Sequence, residues 1–283
     1  MAVGNRINTT MRKTIISIVI IISIFCCKKE DKTEPVHYLK NCATEYLNFF
    51  DDNKYFNNSS LTFPAKVVSK TIVSLQYSGN RVVRATGGFM NAPAGNNFMN
   101  LMFFNDVYDS IVYVDNSIYV YTRPDVFYSS VGDDPEKPTV YIKDAYGRLI
   151  KTVRRDGTEF NYKYHVNQIV EESSNGEILR NFYFKDNNLV RITRESGDTS
   201  SLYYSKKEML FQEYDTKPNP LKNMYHLTGA FYRSFSENNY SQFTVNEYRH
   251  LDNGKIGIVN TSWYSIPIVY NAFGYPKFGE YAE

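Results

Sequence analysis

Polar and apolar residues alternate along most of this chain with a period of two, the period of a half-buried β-strand. Ser110-Ile111-Val112-Tyr113-Val114 and Ile118-Tyr119-Val120-Tyr121 are the clearest runs. Helical spacing is confined to Tyr38–Phe50, where Leu39, Cys42, Tyr46 and Phe49/Phe50 allow either one short N-terminal helix or a strand pair. The fold class that follows is all-β: an extended antiparallel meander of hairpins.

One spacing recurs. An aromatic residue is followed three positions later by Asn and five positions later by an aliphatic residue. It occurs at Tyr77-Asn80-Val82, Tyr113-Asn116-Ile118, Tyr164-Asn167-Ile169 and Phe184-Asn187-Leu189. If each Asn and its predecessor form a two-residue hairpin loop, aromatic and aliphatic stand directly opposite, a cross-strand pair contributing about 0.2–1 kcal/mol. The loops are Gly79-Asn80, Asp115-Asn116, Val166-Asn167 and Asp186-Asn187; Asn tolerates the positive φ such loops demand, whereas Val166 requires a different turn type. Leu149, Ile169, Leu189 and Leu210 lie 20, 20 and 21 residues apart, with turns at Asp156-Gly157, Asn175-Gly176 and Gly197-Asp198 between them. That period means one hairpin per repeat.

Lys143-Asp144-Ala145-Tyr146-Gly147-Arg148-Leu149, followed by Asp156-Gly157-Thr158 and Tyr162-Lys163-Tyr164, resembles the tyrosine-aspartate (YD, or Rhs) repeat. Lys143 replaces the leading Tyr, and Tyr270-Asn271-Ala272-Phe273-Gly274-Tyr275-Pro276 reads as a last copy. The resemblance implies stacked hairpins; the chain carries too few repeats to enclose cargo as large toxins of that family do.

The first residues follow another pattern. Arg12-Lys13 precede apolar and small residues from Ile15 to Phe25, and Ile24-Phe25-Cys26-Cys27 follows. This is the layout of a secretory signal, too short for a spanning helix of about 20 residues. The charge cluster suits a start at Met11 better than one at Met1. A lipobox needs a small residue before its cysteine, which selects Cys27 for lipidation. Residues 1–26 then form a lipoprotein signal peptide and residues 27–36 a tether. Lys28-Lys29-Glu30-Asp31-Lys32 resembles the export signal of Bacteroidetes surface lipoproteins, and the whole layout resembles lipoproteins of unknown function in that phylum. That resemblance implies a palmitate-bearing anchor in the outer membrane and exposure at the cell surface. Asp109-Ser110-Ile111 resembles the O-glycosylation acceptor of the same phylum.

Composition narrows the function. Removing residues 1–26 takes away three cations, Arg6, Arg12 and Lys13, and no acid, so the formal charge of +2 becomes −1. No electrostatic case for nucleic acid survives. With Cys27 acylated and Cys26 removed, Cys42 has no disulfide partner. The proline-and-acid stretch 124–139 separates an N-terminal β region (37–123) from the hairpin-repeat region (140–283), either as two domains or as one sheet with an excursion. Lys217–Lys222 is a second loop, where the repeat spacing is lost.

Catalytic chemistry is not legible. His37, His165, His226 and His250 lack metal-ligand spacing, and no nucleophile elbow or phosphate loop occurs. No catalytic residue, metal or cofactor is assigned. Adjacent acids such as Glu171-Glu172 point to opposite faces of a strand and read as solvated edges. Asp186-Asn187-Asn188 and Asp252-Asn253-Gly254 read as hairpin turns rather than calcium loops. The expectation is a non-enzymatic cell-envelope protein with a binding or structural role, its partners the membrane and a glycan or envelope protein. One alternative is carbohydrate capture by Trp263, Tyr264, Tyr270 and Tyr275; another is an apolar-ligand carrier. The turn residues that define the repeats are Asn80, Asn116, Gly147, Asn167, Asn187 and Gly274.

Overall fold

The computed structural model describes residues 38–47, 71–93, 99–123 and 136–281. The signal, Cys27 and the tether lie outside these residues, as does most of the 124–139 stretch. Fourteen strands form one antiparallel sheet in which each strand pairs with the next in sequence. They are β1 (Asn41–Ala43), β2 (Ile72–Ser78), β3 (Arg81–Pro93), β4 (Met99–Val114), β5 (Ser117–Arg123), β6 (Thr139–Lys143) and β7 (Leu149–Val153). The series continues with β8 (Glu159–His165), β9 (Gln168–Ser173), β10 (Ile178–Lys185), β11 (Asn188–Ser196), β12 (Ser205–Tyr214), β13 (Tyr240–His250) and β14 (Ile256–Ser265). Strand β5 pairs directly with β6, so the sheet runs on across the 124–139 stretch.

The register carries the hairpin motif. Tyr77 stands opposite Val82, Tyr113 opposite Ile118, Tyr164 opposite Ile169 and Phe184 opposite Leu189. The left-handed backbone that closes these loops falls on different positions: φ is 58° at Gly79, 49° at Asp115, 55° at Asn167, and 50° and 60° at Asp186 and Asn187. Five further turns close differently. Residues 144–147, 154–157, 173–176, 251–254 and 271–274 each form a turn whose fourth residue is a left-handed Gly, with φ between 73° and 85°. In each, the N–H of the first residue donates to the carbonyl of the fifth, and the N–H of the glycine back to the carbonyl of the first. Gly147 and Gly274 thus occupy equivalent places, because a side chain would strain this conformation.

Leu149, Ile169 and Leu189 open β7, β9 and β11 and are fully buried. The fourth member of the period departs. Leu210 lies within β12 and is only half-buried, while its neighbours Met209 and Phe211 face the core. Tyr38–Leu47 forms β1 and a single 3-10 turn (Thr44–Tyr46) rather than a helix. Here β1 is hydrogen-bonded on both edges, to β2 and to the C-terminal segment: Ala43 N–H donates to Phe278 O at 2.7 Å and Lys40 N–H to Glu280 O at 2.7 Å. Those bonds outweigh the costly nucleation of an isolated short helix. The two ends of the described chain therefore meet, with Leu39 bridged to Tyr281.

One face of the sheet is apolar and buried, the other polar. Lys151–Glu159 (2.8 Å) and Lys163–Glu172 (2.6 Å) pair across strands on the polar face. A lysine on the lipid-facing side of a membrane barrel costs about 2–4 kcal/mol near the midplane. Strands β7 to β9 therefore present this face to water.

Candidate functional site

The buried face is covered by the chain's own segment Asp215–Asn239, which links β12 to β13. Its base is sealed by Asp215 and Asn239: the N–H of Asp215 donates to Asn239 O at 3.0 Å, and the N–H of Asn239 to Asp215 Oδ1 at 3.0 Å. Asn219 Nδ2 donates to the carbonyls of Arg233 (2.7 Å) and Ser236 (3.0 Å), holding the two arms together. Leu221, Tyr225, Leu227, Phe231 and Tyr232 are buried.

The segment touches the sheet nearly all the way round. Thr228 Oγ1 donates to Asp109 on β4 at 2.7 Å, and Tyr113 Oη lies 3.0 Å from His226 Nε2. Phe231 packs against Tyr162 of β8 and Phe182 of β10, with ring centroids 6.4 and 6.3 Å apart. Tyr232 packs on Phe211 of β12. Arg233, 1% exposed, donates to the carbonyls of Tyr46 (2.6 Å) and Tyr240 (3.0 Å) and lies over the Tyr240 ring. The sheet thus curls around a plug, which answers the demand that its apolar face be buried.

Beneath the plug, Glu171 and Arg180 form a cross-strand ion pair at 2.7 and 2.5 Å, and Arg180 Nη1 donates to Tyr232 Oη at 2.8 Å. Glu171 is therefore no solvated edge; its neighbour Glu172 takes the outward face, paired with Lys163. Asp109 also turns inward, and Ser110 is paired to strands on both sides, which leaves the O-glycosylation acceptor pattern inside the sheet.

Hairpin tyrosines add a latch. The hydroxyls of Tyr77, Tyr113, Tyr164 and Tyr214 donate to the carbonyls of Leu39 (2.9 Å), Val82 (3.0 Å), Leu149 (2.9 Å) and Leu189 (2.5 Å). Burial pushes the Tyr77 and Tyr113 phenols up to about 12, helped at Tyr77 by the neighbouring Tyr113 and opposed at Tyr113 by Arg81. Tyr164 and Tyr214 are raised for the same first reason.

Where the latch end meets the plug, an open cleft of about 510 Å³ forms. Such a volume falls within the range of about 300–1,000 Å³ usual for ligand pockets. Its floor is Leu149, Ile169, Tyr164, Phe184, Tyr225 and Phe235; its rim includes Asn167, Asn187 and Asn223. Both rim cations are paired within the chain: Arg148 Nε donates to Asp144 at 2.7 Å, and Lys222 bonds Glu237. Among the described residues, no group of three or more His, Cys, Asp or Glu could hold a metal ion. Cys42 is buried, and loss of hydration pushes its thiol up to about 12, which removes the thiolate needed for nucleophilic attack.

Gly147, on the β6–β7 hairpin, lies at the same end of the sheet as the asparagine turns, tied to Asn116 through the Lys143 N–H. Asn80, Asn116, Asn167 and Asn187 lie at the latch end, where the carbonyls of Asn116, Asn167 and Asn187 accept from the N–H groups of Lys143 (2.9 Å), Phe184 (2.9 Å) and Glu237 (3.2 Å). Of these, Asn167 and Asn187 reach the cleft. The four C-terminal aromatics do not form one platform. Trp263 is 60% exposed, whereas the adjacent Tyr264 takes the other face of β14 and stacks on Phe243 at 4.5 Å. Tyr270 donates its hydroxyl to Asp215, and Tyr275 packs on Tyr281. Sequence reasoning missed the plug and Asn223; the density of apolar residues from Leu221 to Phe235 was the available signal.

These features define an all-β shell closed on its own internal segment. Neither a known family profile nor a curated protein matches the chain. Two solved structures are similar to it in part. One is a porin-like protein from Bacteroides uniformis, 10% identical, with 69% of this chain and 90% of that one covered and a TM-score of 0.35. The other is a porin-like protein from Bacteroides vulgatus, 9% identical, covering 85% and 90%, with a TM-score of 0.38.

Proposed function

We propose that this chain is an outer-membrane lipoprotein, anchored through Cys27 and exposed at the cell surface, with a non-enzymatic binding role. The observation that carries the binding role is the filled interior. Residues of the plug occupy the buried face, so an apolar-ligand carrier has no chamber there, and what remains accessible is the polar outer face and the end cleft. The anchor rests on Arg12-Lys13, the Ile15–Phe25 run and the Phe25-Cys26-Cys27 junction. More than one acyl chain makes such attachment stable.

The test is metabolic labelling of cells with an alkyne fatty acid, for the natural sequence and Cys27→Ala, combined with protease shaving of intact cells. Label lost in the variant and cleavage from outside are expected. Label that persists in Cys27→Ala refutes the anchor site, and resistance to shaving refutes surface exposure.

A further inference from the structure

We infer that the cleft is a binding site for a neutral oligosaccharide, with Asn167, Asn187 and Asn223 as its recognition residues. Each of the three holds a left-handed backbone, with φ of 55°, 60° and 62°. Glycine adopts that conformation at least cost, so backbone geometry alone does not call for a carboxamide. Yet three solvent-exposed carboxamides from three separate parts of the chain line one cleft, their side chains bonded to no other described residue. Nearby amides that are buried or half-buried are bonded within the chain instead: Gln168 to Asn181, Asn188 to Asn238, and Asn219 to two carbonyls.

The chemistry of the lining selects the ligand. A carboxamide is both donor and acceptor, which matches a hydroxyl group that is also both. Phe184 and Phe235 line the cleft with aromatic carbon of the kind that packs against the C–H faces of a sugar ring, while Tyr225 is buried and the Tyr164 ring lies under the Arg148 guanidinium at 4.6 Å. Arg148 and Lys222 are already neutralised by Asp144 and Glu237, so the cleft offers no spare cation to an anionic ligand. A neutral polyol with apolar faces fits; a phosphate or an acidic glycan does not.

This site rests on the binding reading above but not on the lipid anchor. The experiment uses full-length protein in detergent micelles and saturation-transfer NMR with cellohexaose, maltohexaose and mannohexaose, and polygalacturonate as the anionic control. Transfer to at least one neutral hexasaccharide is expected, with affinity at least about tenfold weaker in Asn167→Gly/Asn187→Gly/Asn223→Gly, which lacks all three carboxamides. Glycine preserves the left-handed backbone, so the variant should keep its unfolding midpoint. Asn223→Gly alone, which leaves both hairpin turns intact, should weaken binding severalfold. No transfer to any neutral sugar at millimolar concentration, transfer unchanged in the triple variant, or binding of polygalacturonate alone would each overturn the inference. Failure of the fatty-acid labelling test would leave it standing.

Discussion

Replacing Glu171 by alanine removes one half of a buried charge pair and leaves the other half in place. Arg180 then keeps its guanidinium among Phe182, Phe231 and Tyr232, with ring centroids 5.4 to 5.9 Å away, and loses its carboxylate. The side chains of the pair are 6% and 1% exposed, so water cannot replace the lost partner without opening the core. Removing one member of such a pair costs about 3–5 kcal/mol. For a domain of this size that lowers the thermal midpoint by roughly 6–20 °C. The triple variant Glu171→Leu/Arg180→Met/Tyr232→Phe removes both charges and the hydroxyl that accepts from Arg180. It should recover most of that loss, because no unpaired charge remains, while the Tyr162 hydroxyl, bonded to Glu171 in the natural protein, keeps only Thr152. Urea unfolding followed by circular dichroism measures both. Equal midpoints for the single and triple variants would refute the reasoning, since the loss would then come from packing and not from an unpaired charge.

Two glycines test backbone strain against space. Gly87, at the bulge between β3 and β4, has φ of +98°, and a Cβ there would stand 2.7 Å from Phe103 Cζ and 2.9 Å from Ile72 O. Gly147 has φ of +79° with nothing within 4 Å. Gly147→Ala should therefore cost about 1 kcal/mol and Gly87→Ala clearly more, and equal urea midpoints would refute that ordering. Alkaline pH tests the latch: the fold favours neutral phenols, so their stabilising effect is complete below pH 10.0, the ordinary tyrosine value, and is lost as pH rises toward about 12. A urea midpoint that stays flat across that window would refute it.

The meander was legible because its information is local. A two-residue loop fixes which residues face each other, so Tyr77 and Val82, five positions apart, specify their own register. The plug was not legible for the converse reason. Thr228 meets Asp109 across 119 positions and Arg233 meets Tyr46 across 187, and no local period announces such contacts. Lys217–Lys222 looks like a loop because proline and polar residues open it, yet Leu221 within it is fully buried. The Arg180 pair sits between these cases. Alternation places Arg180 on the face of Phe182, but nothing in the strand says that Glu171 and Tyr232 wait there. The same limit held at the cleft: Asn167 and Asn187 read as turn residues, while their convergence with Asn223 depends on where the plug docks.

A curled meander fixes the spacing of its turns more tightly than ordinary loops are fixed. Neighbouring strands lie about 4.8 Å apart, so the turns of successive hairpins, two strands removed, repeat at roughly 10 Å. Asn167 and Asn187 sit on two such successive turns, and both neighbouring strands of each are held in the sheet. Their separation is therefore set by backbone hydrogen bonds, and little ordering is left to be done when a ligand arrives. The plug completes the arrangement from the other side. Its position is fixed by Asn219, Arg233 and the Arg180–Tyr232 bond, and Asn223 is held at the cleft by its own N–H donating to Ser234 O at 2.9 Å. The apolar face that forces the sheet to curl and the polar rim that can meet a ligand are thus two consequences of one segment folding inward.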